Sequence, residues 1–88
     1  MINIEQLEIQ AMVQLVVPVG RHGPYAVTTT EDPRISGSIT FSLESTVWGE
    51  KDWPETGTVV VLSKLRKKRL GWRAKRARFL RPSDEQSA

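Results

Sequence analysis

The sequence has no cysteine and a single histidine, His22, and both shortages narrow the chemistry open to the chain. Without cysteine there can be no disulfide, no thiolate metal site and no thiol nucleophile. One histidine cannot form a histidine metal cluster and can supply at most a single catalytic base. The carboxylates are scattered, and no glycine-rich loop precedes a helix as a phosphate site would require. We therefore expect no enzyme, no catalytic or metal-binding residues and no cofactor.

Long apolar segments are also lacking. No run approaches the roughly 18 residues of a membrane span, and the first residues do not have the basic-then-apolar pattern of a signal peptide. We expect a cytoplasmic protein without membrane association. At 88 residues, with 39% hydrophobic and 26% charged side chains, the chain fits one small globular domain and is too short for a two-domain enzyme with a cleft.

What the sequence does have is a strongly uneven charge. The formal net charge is only +3, but residues 1–55 contain three basic and eight acidic residues, whereas residues 56–83 contain ten basic residues and no acidic one. Like charges in one segment repel each other, and a polyanion relieves that repulsion, nucleic acid being the commonest. The alternative is a solvated basic face that keeps a small protein soluble.

Five segments have the composition and alternation of β-strands, namely residues 12–19, 25–30, 38–43, 58–62 and 72–80. An irregular connection over 44–57, with one helical turn, separates the third and fourth. Residues 64–71 are predicted to be a basic turn of a long hairpin. A basic helix over 62–80 stays open as an alternative, although Gly71 disfavours it by about 1 kcal/mol. The first ten residues could be a short helix or a leading strand.

Five short strands with one long connection are typical of a small closed β-barrel, and the OB-fold is the leading candidate. We therefore predict an all-β, five-stranded OB-like barrel over residues 12–82, with the long connection between strands three and four. An N-terminal extension over 1–11 precedes it, and a flexible acidic tail over 83–88 follows.

Residues 12–82 also resemble the cold-shock-type nucleic-acid-binding domains, a branch of the OB-fold. Tyr25-Ala26-Val27 resembles the first ribonucleoprotein motif of that family, Ile39-Thr40-Phe41-Ser42 the second, and Gly57 with Val60 and Gly71-Trp72-Arg73-Ala74 the final hairpin. The resemblance implies a cold-shock-like barrel that binds single strands. Several stacking positions of the family differ here, since they carry Gln14 and Leu15, Val27, Ser38 and Thr40.

We expect a nucleic-acid site on the last hairpin, because arginine makes bidentate phosphate contacts and exposed aromatic rings stack on bases. The predicted site comprises Tyr25, Phe41, Lys64, Arg66, Lys67, Lys68, Arg69, Trp72, Arg73, Lys75, Arg76 and Arg78. For the three aromatic residues a core position is the alternative, and it is the favoured interpretation for Trp72. Alternation with Ile39 and Leu43 favours the core for Phe41.

The expected function is therefore non-catalytic binding of RNA or single-stranded DNA. The alternative from a different class is a protein-interaction module that docks through its acidic face and through Trp48 and Trp53, since tryptophan is enriched at binding hot spots. For both tryptophans, packing over the barrel end is the favoured interpretation, because the neighbouring Glu50 and Asp52 would repel a polyanion.

Overall fold

The structure is a computed structural model, and it describes residues 7–85. These residues form five strands and one short helix. The elements are β1 (Ile9–Val17), β2 (Tyr25–Thr29), β3 (Ile39–Ser42), β4 (Val59–Lys68), β5 (Gly71–Phe79) and α1 (Pro82–Glu85).

The five strands close into a barrel in the order β1-β2-β3-β5-β4. All neighbouring strands are antiparallel except β3 and β5, which are parallel, and β4 pairs back onto β1 to complete the ring. The predicted all-β barrel with a long connection between β3 and β4 is therefore confirmed. Its strand count and closure are consistent with a small OB-like fold.

The core follows from strand alternation, in which every second side chain points inward. The largest fully buried side chains are those of Val13, Thr28, Ile39, Phe41, Val60, Leu62 and Leu65. Thr28 is the one polar member of the buried set, and its Oγ1 donates a hydrogen bond of 2.8 Å to the carbonyl oxygen of Ile39. This bond satisfies a hydroxyl that would otherwise be costly to bury.

The last two strands form one long hairpin, and the basic-helix alternative is wrong. The strand β4 continues to Lys68, so that the predicted turn over 64–71 shrinks to a loop of two residues, Arg69 and Leu70. The alternation of inward and outward side chains breaks within β4, because Leu62 and Leu65 are both fully buried although they are three residues apart. Lys64 lies between them with a φ of 54°, and this left-handed residue rotates the strand so that both leucines face inward.

The connection between β3 and β4 packs against the barrel through Trp48. It contains the predicted helical turn, in which the Trp48 N–H donates to the Glu44 carbonyl at 2.8 Å. The ring of Trp48 stacks on Phe41 with centroids 5.6 Å apart and meets Phe79 edge-on at 4.9 Å. Its Nε1 donates to the Asp52 carbonyl at 2.8 Å. The predicted packing over the barrel is confirmed for Trp48, which is 2% exposed, but not for Trp53, which is 45% exposed.

The chain ends also differ from the predicted boundaries. The strand β1 begins at Ile9, three residues before the predicted start, because Ile9 and Ala11 continue the buried alternation of Val13. The prediction of a short helix or a leading strand for the first ten residues falls mainly on residues 1–6, which lie outside the described range. At the other end, residues 82–85 form α1, and residues 86–88 of the predicted tail lie outside the described range.

Within residues 7–85, no helix has the length and apolar character needed to cross a membrane.

Candidate nucleic-acid interface

Most of the basic side chains on the β4–β5 hairpin have no acidic partner. Among the described residues, ion pairs to carboxylates involve only Arg34, Arg78 and Arg81. Eight exposed basic residues of the hairpin are therefore unpaired within residues 7–85: Lys64, Arg66, Lys67, Lys68, Arg69, Arg73, Lys75 and Arg76. Like charges held together on two paired strands repel each other, so an external anion would stabilise this surface.

Arg78 was predicted to bind nucleic acid, and the structure gives it a structural role instead. Its guanidinium donates two hydrogen bonds to the carboxylate of Asp84, at 2.8 and 2.9 Å, and lies 3.5 Å from Glu8. The bond to Asp84 raises the pKa of Arg78, and the same bond, together with the Arg81 backbone N–H, lowers the pKa of Asp84 well below its usual value. Arg78 thus links α1 to β5, and its two terminal nitrogens already bind a carboxylate.

The β-bulge in β1 decides which side chains reach the outer face of the barrel. Register between β1 and β2 shifts between Val13 and Leu15, so one extra residue enters β1 there. Before the shift the odd-numbered residues of β1 point inward, with Val13 fully buried. After it Val16 packs against the core, while Leu15 turns outward and is 52% exposed.

A continuous row of outward side chains crosses all five strands as a result. Leu15 pairs with Val27, Val27 with Thr40, Thr40 with Arg73, and Arg73 with Arg66. The row is apolar on β1 and β2 and becomes basic on β5 and β4. Sequence reasoning identified Leu15, Val27 and Thr40 only as departures from the cold-shock pattern, and it could not show that they align with two arginines.

An open groove of about 500 Å³ lies between this row and the loop that joins β1 to β2. Its lining includes Tyr25 and Ser42 on the strands, Arg21 and His22 on the loop, and Arg73 on β5. No carboxylate is among the described lining residues. The groove thus has one exposed aromatic ring and two arginines among its lining residues, a combination that suits a base and its flanking phosphates.

Gly20 positions the ring of Tyr25, and this role was missed at the level of sequence. A Cβ at Gly20 would lie 2.4 Å from the Gly23 carbonyl oxygen and 2.9 Å from two ring carbons of Tyr25. The bare backbone of Gly20 therefore packs directly against the ring. A hydrogen bond of 3.1 Å from the Gly23 N–H to the Gly20 carbonyl closes the loop. This contact restricts one side of the ring before any ligand arrives, which lowers the entropic cost of binding.

A second, smaller groove of about 390 Å³ lies on the basic side of Arg73. It is lined by Lys64, Arg73, Lys75 and Arg76, with Thr46 of the β3–β4 connection at its margin. Arg73 borders both grooves. A strand that passes over Tyr25 would therefore meet Arg73 and then the basic residues of the hairpin.

Two aromatic residues of the predicted site are not open stacking surfaces. Phe41 is fully buried against Trp48, so the prediction that it contacts a base is wrong. Trp72 is half-buried against the core, and its Nε1 is buried without a hydrogen-bond partner among the described atoms. The Lys67 ammonium lies 5.1 Å from the centre of the Trp72 ring and covers it through a cation–π contact. Among the predicted aromatic residues, Tyr25 has the most accessible ring.

The acidic side of the barrel lies away from these grooves. Glu8, Glu31 and Asp32 line another open groove, of about 610 Å³, beside β1 and the end of β2. Asp32 accepts bonds from the Arg34 guanidinium at 2.9 and 2.6 Å, and this contact lowers the pKa of Asp32 to about 2. No group of three metal-ligating side chains occurs in the described part of the chain.

Neither protein-family models, nor curated proteins, nor solved structures match the chain. The functional conclusion therefore depends on the strand register and on the side chains that line the grooves.

Proposed function

We propose that the protein is a non-catalytic, cold-shock-like nucleic-acid-binding protein, and that it binds RNA or single-stranded DNA across the outer face of the barrel. The observation that carries the proposal is the row from Leu15 to Arg66, which joins an apolar surface to unpaired arginines beside the exposed ring of Tyr25. Bases would lie over the apolar part of the row and over Tyr25. Phosphates would lie on the arginines.

Electrostatic contacts would supply most of the affinity. Stacking on an aromatic ring contributes about 1–3 kcal/mol per base, and the face offers one well-exposed ring where cold-shock domains offer several. Each phosphate neutralised on a single strand adds about 0.7 to the slope of log affinity against log salt concentration. We therefore expect binding that falls steeply with salt and depends little on base sequence.

The test is a salt titration of binding to a labelled single-stranded oligonucleotide, followed by fluorescence anisotropy. The variant carrying Arg73→Gln, Lys75→Gln and Arg76→Gln should bind more weakly at every sequence, with a slope lower by about 2, because three phosphate contacts are lost. Lys51→Gln is the control, since Lys51 is exposed on the β3–β4 connection outside both basic grooves. Failure of the unmodified protein to bind at low salt would overturn the proposal, and an unchanged slope in the triple variant would place the contact elsewhere.

Of the two tryptophans that the protein-interaction alternative invokes, one is exposed enough to contact a partner. Trp48 is buried, so it cannot insert into a partner, whereas Trp53 is 45% exposed. Trp53→Ala should abolish capture of a protein partner and leave the domain folded if this alternative is correct. The nucleic-acid proposal instead expects oligonucleotide binding to be unchanged in that variant.

A further inference from the structure

Leu70 lies at the tip of the β4–β5 hairpin with its side chain in solvent. It is 93% exposed, the highest value among the large hydrophobic side chains of residues 7–85. The hairpin loop consists of Arg69 and Leu70, between Lys68 and Gly71, which pair across the strands. The chain therefore presents a leucine at the outermost point of its most basic element.

The turn itself does not require a leucine. Gly71 supplies the unusual backbone geometry, because it has a φ of +118° and a Cβ there would lie 2.7 Å from the Ser38 carbonyl oxygen. Leu70 has a negative φ, which other residue types adopt equally well. Turn positions of this kind favour polar residues such as Asn, Asp or Ser. Packing within the fold therefore does not explain why residue 70 is apolar.

The surroundings of Leu70 indicate the chemistry of a partner. The residues before it are basic from Arg66 to Arg69, and Arg73 follows on β5. A partner for this tip must offer an apolar surface directly beside negative charges. Nucleic acid does so, since base faces lie between two phosphates. An anionic membrane also does so, but a single leucine supplies far less apolar contact than stable membrane anchoring requires.

We propose that Leu70 inserts between neighbouring bases of the nucleic acid bound by this protein, while Lys68 and Arg69 contact the flanking phosphates. The inference rests on the proposed function and adds a contact on the hairpin tip, outside the groove of Tyr25. In duplex DNA, leucine is among the side chains that proteins insert as wedges between base steps, where they separate the stacked rings. The wedge gives the protein an apolar base contact that its few exposed aromatic rings do not provide.

The experiment uses single-stranded oligonucleotides with 2-aminopurine at one position in turn, because this base fluoresces more strongly when it is unstacked. The unmodified protein should raise the fluorescence at one or two adjacent positions. Leu70→Ser should abolish that rise and weaken binding about tenfold, equivalent to 1.4 kcal/mol, with an unchanged salt slope. Leu70→Met should retain both effects. Met12→Ser is the matched control, since Met12 is an exposed apolar residue of the acidic groove.

The outcomes separate this inference from the proposed function. Absence of oligonucleotide binding by the unmodified protein would overturn both. If Leu70→Ser binds with normal affinity and the same fluorescence rise, the wedge is wrong while the groove proposal stands. If Leu70→Ser instead loses binding to phosphatidylserine vesicles and keeps oligonucleotide binding, the tip contacts lipid and the wedge is also wrong. Circular dichroism should show the same fold for every variant.

Discussion

The strand β5 carries basic residues along its whole length, but the two halves of the strand use them differently. In the first half, Arg73 and Lys75 have no carboxylate partner among residues 7–85 and border the basic groove. In the second half, Arg78 is held by Asp84, and just beyond the strand Arg81 lies 3.8 Å from Glu50. Arginine therefore forms ion pairs within the fold near the end of β5 and faces solvent near its start. The difference depends on whether a carboxylate lies nearby.

The largest expected effect is on stability, at the second half of β5, which we call the closed half because Arg78 there is paired with carboxylates. Trp48 packs beside this half. Trp48→Ala should lower the free energy of unfolding by about 3–5 kcal/mol, because it removes the ring that contacts both Phe41 and Phe79. Trp53→Ala should change it by less than about 0.5 kcal/mol, since that ring is 45% exposed. Urea denaturation measures both. Equal losses of unfolding free energy in the two variants would mean that the packing of Trp48 does not stabilise this half of the barrel.

A gain of binding at the open half is the next largest expected effect. Val27 lies in the outward row, two strands away from Arg73, and Val27→Phe would add an aromatic ring where bases are proposed to lie. We expect affinity for a single-stranded oligonucleotide to rise by about 1 kcal/mol, the lower part of the range for one stacked base. Met12→Phe, in the acidic groove, should leave affinity unchanged. An equal gain in both variants would argue against a specific face.

The smallest expected effect comes from Asp84→Asn, which removes the carboxylate that pairs with Arg78 in the closed half. The lowered pKa of Asp84 means that its ion pair stabilises the fold above the unfolded-state pKa of about 4 and that this contribution is lost as the pH falls below it. The variant should therefore melt at a lower temperature than the unmodified protein at pH 7, and the difference should shrink progressively as the pH is lowered from 4 toward 2. Thermal melts at the two pH values measure this.

Asp84→Asn also tests the comparison between the two halves directly. With Asp84 neutral, Arg78 should become available to a phosphate, so the salt slope of oligonucleotide binding should increase by up to about 0.7. A slope that stays the same while the melting temperature falls would show that Arg78 lies too far from the bound strand to contribute.

The alternation of Ile39, Phe41 and Leu43, together with the strand-like composition of 58–62 and 72–80, was sufficient to predict a five-stranded barrel. The extent of the hairpin was not predictable in the same way. Lys64 has a left-handed backbone conformation, and this turns the side chain of Leu65 inward so that the ladder continues. No pattern of side chains in the sequence predicts a left-handed residue at that position.

The candidate site was predictable in charge but not in geometry. The density of basic residues identified the hairpin, and alternation already favoured a buried Phe41. The role of Arg78 required knowing that the chain turns back over 82–85, which brings Asp84 against it. The alignment of Leu15 with Arg73 required the bulge in β1, since without the extra residue Leu15 would point into the core. The pairing register between strands depends on how the strands pack together, so it cannot be predicted from the sequence of one strand.

Closure of the barrel also determines how any partner can be recognised. Each strand has a neighbour on both sides over part of its length, and within residues 7–85 the barrel closes through these partial ladders. A partner on the outer face would be contacted through side chains and through the loops. Those positions can be exchanged without disturbing the backbone ladder, so that substitutions at Tyr25, Val27, Thr40 or Leu70 could retune the choice of ligand on an unchanged scaffold.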